Sequence, residues 1–489
     1  MNQWITMLPI CVPVLAALLS IGIRSFEKDT FRKGYVTATL SVTLLLMLLA
    51  AVCGGRVEYT IIDGLTFVFR PDGIGRFFGL LSAGMWLLAG IYSFQYMHHE
   101  ERCINFYRYY MITIGAICGI ALSGSYLSLY LTFEAMSFAS FPMVMNSRTK
   151  QSVNAAMKYL FYSVAGSALG LVGFFFLSVY TTTTEFVAGG SLDLSAVAGS
   201  ETKLLVVLLL VIIGFGTKAG MFPMHAWLPT AHPAAPSPAS AVMSGIITKA
   251  GILAIIRVVF FVAGADAIRG TWLQKVWMIL ALITVFMGSM LAYKENILKK
   301  RLAYSSVSQL SYVMLGLSTL TAAGFTGAVL HMAAHAVIKD LLFMCAGCII
   351  MKTSCTRVDE LRGIGKRMPG TMICFTIASL GLVGIPPTAG FVSKWYLAQG
   401  ALESGCGVLG IVGPAVLLVS ALLTAGYLLT VSVSAFLPGA DFDRTRVVKC
   451  EAPVSMLWPM ALLALAVFAI GMAAAPLIDF ASAVAQTIL

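Results

Sequence analysis

The chain has 489 residues, of which 59% are hydrophobic and 11% charged, with a net charge of +11. Its mean hydropathy is +0.90. A soluble fold of this size cannot hide so much apolar surface in one core, which excludes a soluble enzyme, a disordered chain and a nucleic-acid binder. The basic excess instead suits the loops that orient a membrane protein. The ten cysteines read as small membrane-buried residues, not as disulfides or metal ligands. With no Lys or Arg before it, the first apolar stretch is expected to be a retained helix and not a signal peptide.

About 20 apolar residues cross a bilayer. That rule predicts fourteen spans, at about 3–23, 34–53, 77–97, 109–123, 126–145, 157–180, 204–222, 238–263, 272–292, 302–319, 323–351, 371–402, 411–436 and 456–475. Two of these should be discontinuous. The seventh runs into Met221-Phe222-Pro223 and a Pro-rich stretch through Pro238, and the twelfth contains Gly384-Ile385-Pro386-Pro387. Broken backbone at membrane depth is tolerated only where protein buries it or a wet cavity lines it.

Assigning the loops to alternate sides puts 20 Lys and Arg on one side, Arg444 and Arg446 among them, and 6 on the other. This positive-inside signal makes a multi-pass protein of the cell inner (cytoplasmic) membrane with both termini on the non-cytoplasmic side. Six cations stay within or beside spans: Lys158, Lys218, Lys249, Arg257, Lys339 and Lys394. Glu134 is the acid set well inside a span by itself. Asp340 directly follows Lys339 and is expected to be its local partner. Lys218 and Lys394 flank the two breaks and lie 176 residues apart. The offset implies two five-span units, which must be inverted because five is odd. The expected organisation is residues 1–105 as a three-helix segment, 106–265 and 266–438 as the inverted five-helix repeats, and 439–489 as a C-terminal transmembrane helix. The fold class is thus an all-α membrane protein.

A lysine at the centre of a membrane helix costs about 2.5–3.5 kcal/mol on insertion scales, so several of them demand a use. Burial disfavours a charged amine and a nearby carboxylate restores it, so a buried lysine beside a movable acid is an adjustable proton site. Glu134 is expected to pair with Lys218, and Lys249 to receive the proton. His331, His335 and Lys339 recur at i, i+4 and i+8 on one helix face and suit a relay to Lys394, the end of the line. Two histidines at this spacing can also bind zinc, but neither Glu nor Cys completes a site there. Lys158, His225 and His232 are accessory candidates, balanced against snorkelling for the lysine and helix capping for the histidines. Arg257 is expected to face headgroups or a lateral partner. His98 and His99 read as solvated loop residues.

Together these residues resemble the antiporter-like subunits shared by respiratory complex I, the Mrp cation/proton antiporters and the energy-converting membrane hydrogenases. The most specific stretch runs from Lys218-Ala-Gly-Met-Phe-Pro-Met-His to Ala-His-Pro-Ala-Ala-Pro-Ser237, then Ser244-Gly-Ile-Ile-Thr-Lys249. His331 through Lys339 and Gly384 through Lys394 also resemble family motifs. The resemblance implies a Glu134–Lys218 pair, a linking Lys249, the histidine face and a terminal Lys394 on a hydrophilic mid-membrane axis. It implies other antiporter-like and membrane subunits as partners, in the lipid bilayer, with a peripheral redox module. This chain carries no nucleotide fingerprint and no cofactor of its own; Fe–S clusters, and a NiFe centre or flavin, are expected in partner subunits. Lysine at 394 argues against the complex I subunit type that has Glu there, and the end of the chain soon after the last span argues against the largest types. The run Ala231–Ser237 resembles hydrogenase-associated and Mrp-like members. The expected function is a proton, or Na+/proton, translocating subunit of a redox-driven complex of energy-converting hydrogenase type. The alternatives are an Mrp-type subunit without redox centres, a complex I pumping subunit, or a stand-alone solute transporter.

Overall fold

A computed structural model describes residues 2–489 except 63–64, 99, 101, 440–441 and 443–447. The cations Arg444 and Arg446, and His99, lie outside the described residues.

The chain opens with α1 (Asn2–Gly22) and α2 (Asp29–Cys53). A short hairpin, β1 (Val57–Ile62) and β2 (Leu65–Phe69), follows them, with Val57 opposite Phe69. This hairpin departs from the all-α expectation. Its β-branched and aromatic runs have strand propensity, and it lies between helices where no span was predicted.

Next come α3 (Gly73–Met97), α4 (Cys103–Leu122), α5 (Tyr126–Val144), α6 (Lys150–Tyr180) and α7 (Glu201–Ala219). Side chains close several starts: Asp72 accepts from Gly75 N at 2.9 Å, Ser125 from Ser128 N at 3.3 Å, and Thr149 from Ser152 N at 3.1 Å. After α7 the chain leaves helix at Gly220, whose φ of +74° suits glycine, and Met221 N returns to Gly216 O at 2.9 Å. It re-enters as α8 (Leu228–Ala234), α9 (Ser237–Val242) and α10 (Thr248–Val258). A π-helical turn at Met243–Ile247 joins α9 to α10, and a second at Val259–Ala263 ends the segment. The whole stretch 237–263 is buried inside the protein.

The second half contains α11 (Trp272–Lys294), α12 (Leu298–Ser318), α13 (Ala322–Thr353), the short α14 (Ile364–Arg367), α15 (Pro369–Val383), α16 (Ala389–Glu403) and α17 (Val408–Phe436). The break between α15 and α16 falls at Gly384, with φ of +88°, and the two prolines that follow it. The chain ends with α18 (Val454–Met472) and α19 (Ala475–Ile488). The C-terminal unit therefore holds two helices and not the single one expected. Helix α19 packs on α13, where Thr326 and Ser482 share a 3.3 Å hydrogen bond.

Each of the fourteen predicted segments lies mostly on helix. Among the described residues, eleven helices are long and apolar enough to cross a membrane. The remaining three segments are α4, α12 and the α15–α16 pair. Helix α12 is rich in Lys, Arg, Ser and Gln, and each half of the broken pair has 15 residues. Helix α13 is the axis of the second half, buried along nearly all its length.

Candidate functional site

Lys218 is the penultimate residue of α7 and 1% exposed. Helices α6 and α7 meet closely at Gly166, where a Cβ would lie 2.5 Å from Gly214 O. That approach carries the Lys218 amine into a cage of hydroxyls: Ser137 Oγ at 2.9 Å, Tyr159 OH at 2.7 Å and Ser163 Oγ at 3.0 Å. Tyr159 is bonded in turn to Ser140 at 2.6 Å and packs on Trp227, whose indole N–H donates to Thr217 O, an end carbonyl of α7, at 2.7 Å.

The expected Glu134–Lys218 ion pair is not formed: the two groups lie beyond 4.0 Å. Glu134 is half-buried on α5; Ser167 donates to one of its oxygens, and the other is buried without a partner. The reason is helical spacing. Glu134 and Ser137 share a face of α5, and Ser163 and Ser167 share a face of α6. The amine meets Ser137 and Ser163, and the carboxylate meets Ser167, one turn beyond Ser163.

Lys249 is fully buried on α10. Its amine donates to Ser244 O at 2.9 Å, on the π turn, and sits 2.8 Å from His335 Nδ1 on α13. His331, one turn before His335, is bonded through Nδ1 to Ser393 Oγ on α16 at 2.9 Å. The two imidazole centroids are 6.2 Å apart. His331 stacks on Tyr312 of α12 at 5.3 Å, and the Lys394 amine stands 5.3 Å over the same ring. Lys394 donates to Leu382 O and Val383 O, each at 2.7 Å, so it caps the C-terminus of α15 across the break. Lys339 donates to Leu302 O at 3.0 Å and to Ser305 Oγ on α12. Asp340 is not its partner, because adjacent residues on a helix point about 100° apart.

The structure thus joins Lys249, His335, His331, Tyr312, Ser393 and Lys394 into one interior series. Lys218 belongs to a separate hydroxyl cage. The two regions adjoin where α10 crosses α7: a Cβ on Gly251 of α10 would meet Lys218 Cβ at 2.8 Å. Of the accessory candidates, Lys158 donates to Thr230 Oγ1 at 3.2 Å, beside the broken helix. His225 is stacked on Phe222, and His232 is buried against Phe343 with both ring nitrogens unbonded.

Several residues escaped the sequence reading. Tyr312 is one; it sits near a polar run on α12, but no charge marks it. Lys299 is another. Counted with the loop cations, it is 6% exposed, and its amine reaches Ala235 O beside a cavity of about 230 Å³ that also touches Glu100. Arg257 was expected to face headgroups or a lateral partner, yet it is buried and forms a two-pronged ion pair with Asp72 at the start of α3. Phe186 and Phe261 flank its guanidinium. Cys345 and Cys348 have CxxC spacing, but both are buried free thiols inside α13.

Breaks, buried amines and a histidine face in this arrangement can be set beside known proteins. Residues 123–424 match the family described as NADH:quinone oxidoreductase/Mrp antiporter, transmembrane. The chain belongs to that family. It is 34% identical to NADH-quinone oxidoreductase subunit N of Desulforudis audaxviator over 95% of both chains. It is also 34% identical to hydrogenase-4 component B of Escherichia coli over 68% of this chain, and 31% identical to the Na+/H+ antiporter subunit A1 of Staphylococcus haemolyticus over 85%. It spans about half the length of those two relatives, 50% and 54%. Among solved structures, the fold matches a chain of the Mrp complex from a Dietzia species with a TM-score of 0.85 at 20% identity, covering 99% of this chain and 97% of that one. It matches a chain of respiratory complex I from Thermus thermophilus at 0.80 and 22% identity, covering 99% of this chain and 100% of that one. Family membership makes this an antiporter-like, ion-translocating membrane subunit of the complex I, Mrp and hydrogenase group.

Proposed function

We propose that the chain conducts protons along its buried amines and imidazoles, as one subunit of a redox-driven membrane complex. The observation that carries this reading is the Lys249–His335 contact at 2.8 Å, which joins the two halves of the chain by a group able to pass a proton between two ring nitrogens. In this scheme Lys218 holds its proton while Glu134 is near and gives it up when Glu134 moves or a neighbouring subunit competes for it. The proton then passes by Lys249, His335 and His331, with Lys339 on the same helix, to Lys394. Lys394 releases it to one side. Lys158, His225 and His232 serve the approach to Lys218.

The same reading takes all fourteen helical segments as spans and groups them as two inverted repeats, 106–265 and 266–438, with both termini outside the cytoplasm. The helix breaks after Lys218 and before Lys394 support it. The match to a quinone oxidoreductase subunit over 95% of both chains favours a redox-driven complex. Within that class we favour the hydrogenase type, on the run Ala231–Ser237, with Fe–S clusters and a NiFe centre or flavin in the partners. An Mrp-type assembly is the second reading, favoured by the 0.85 fold match. Co-purification in mild detergent separates them: Fe–S polypeptides accompany the chain in the first case and not in the second. Lys218→Ala in an assembled complex is expected to stop translocation, and a normal rate would reject the scheme.

A further inference from the structure

Asp340 lies on α13, and it is the one aspartate with zero exposure among the described residues. Neither of its carboxylate oxygens has a hydrogen-bond partner. A buried carboxylate left this way is costly, so the group must be neutral or have a partner that comes and goes. Its position is specific. A Cβ placed on Gly245 would lie 1.8 Å from Asp340 Oδ1, so the carboxyl occupies the space that the missing side chain leaves in the π turn Met243–Ile247. Such turns leave the regular helical hydrogen-bond pattern and are frequent at functional sites.

Lys249 lies four residues after Gly245, on the same side of its helix. Its amine has three N–H donors and spends two contacts, on Ser244 O and His335 Nδ1. Lys249 and the Tyr110 phenol of α4 interact electrostatically with Asp340, and Lys339 is its neighbour in the chain. Tyr110 donates its hydroxyl to Trp86 O at 2.7 Å and Lys339 points to Leu302 O and Ser305 on α12, whereas Lys249 is the amine coupled to Asp340 from another helix. Lys249 and Asp340 now lie beyond 4.0 Å, so the amine or the carboxyl must move for the two to meet.

We propose that Asp340 is a second proton-accepting acid of the conduit, serving Lys249 as an alternative to His335. In the step, one N–H bond of the Lys249 ammonium breaks and an O–H bond forms on Asp340, giving a neutral amine and a carboxylic acid. The reverse step reloads Lys249 for His335. The chain then has an acid for each central lysine, Glu134 for Lys218 and Asp340 for Lys249. The inference rests on the proton-conduction reading above.

The test uses the whole complex, purified in mild detergent and reconstituted in vesicles. A potassium diffusion potential drives the flux, and an enclosed pH dye reads it. Asp340→Asn keeps shape and polarity but cannot carry the proton, and roughly 100-fold slower flux with an altered pH profile is expected. Gly245→Ala, which pushes the carboxyl out of its space without removing a titrating group, is expected to slow flux similarly. Wild-type flux in Asp340→Asn, with Lys218→Ala inactive, overturns this proposal alone. Wild-type flux in Lys218→Ala overturns the conduction reading beneath it. Should neither Asp340→Asn nor Gly245→Ala assemble, infrared difference spectra of the wild-type complex decide. A carboxylic C=O band that appears on a pH step and shifts with carbon-13-labelled aspartate supports the proposal, and its absence overturns it.

Discussion

Glu134 and Lys218 face the same cleft between α5, α6 and α7 but do not touch. Ser167 holds the carboxylate, while Ser137, Tyr159 and Ser163 hold the amine at 2.7–3.0 Å. Acid and base are therefore separated by hydroxyl groups, each of which can both donate and accept.

This separation predicts that the cage itself matters. A hydrogen bond to a charged group contributes about 1.5–3 kcal/mol, so removing one changes the protonation balance of the amine by about tenfold or more. Ser163→Ala with Ser137→Ala is expected to slow proton flux in reconstituted vesicles at least about tenfold while the complex assembles normally. Glu134→Gln is expected to be slower still. Unchanged flux in the double variant would show that the hydroxyls only fill space.

The contact between Lys249 and His335 carries a second expectation. Glutamine retains a hydrogen-bonding side chain at 335 but cannot shuttle a proton between two ring nitrogens. His335→Gln should therefore assemble and lose flux by roughly 100-fold. The measurement is the same vesicle assay, with assembly checked by co-purification.

The Arg257–Asp72 pair makes a stability prediction with a definite sign. Burial acts against the Asp72 carboxylate, yet the Arg257 guanidinium outweighs it, aided by the backbone N–H of Gly75, and holds the carboxyl below the usual range. Stability from such a group is complete above the unfolded-state pKa of about 4 and is lost as pH falls through the lower folded value. Thermal unfolding of the wild type should weaken below about pH 4, and Asp72→Asn should respond less. At neutral pH, Asp72→Asn leaves a buried guanidinium without its counter-charge and should cost about 3 kcal/mol.

Helices α13 and α16 approach closely at Gly400, where a Cβ would meet Gly324 Cα at 2.3 Å. That approach sets the distance between His331 and Ser393. Gly400→Ala should force the helices apart, destabilise the fold by about 1–3 kcal/mol and weaken flux. Normal unfolding temperature and flux together would refute this.

Much of the architecture was legible because membranes impose strong local rules. Apolar length marked α1, α2 and α13, and proline with glycine marked the breaks at Gly220 and Gly384. The α19 helix was missed because its 14 residues fall short of a span, and the hairpin because its strands are brief.

Composition and spacing by themselves determined that buried lysines exist, that His331, His335 and Lys339 share a face, and that two helices break, since each follows from side-chain chemistry and helical period along one segment. Which groups meet was decided by tertiary structure. Whether Lys218 reaches Glu134 or three hydroxyls, whether Asp340 answers Lys339 or faces Gly245, and whether Arg257 finds lipid or Asp72 depend on how separate helices are rotated against one another. Close packing of small residues sets that rotation, and the residues involved are distant in sequence.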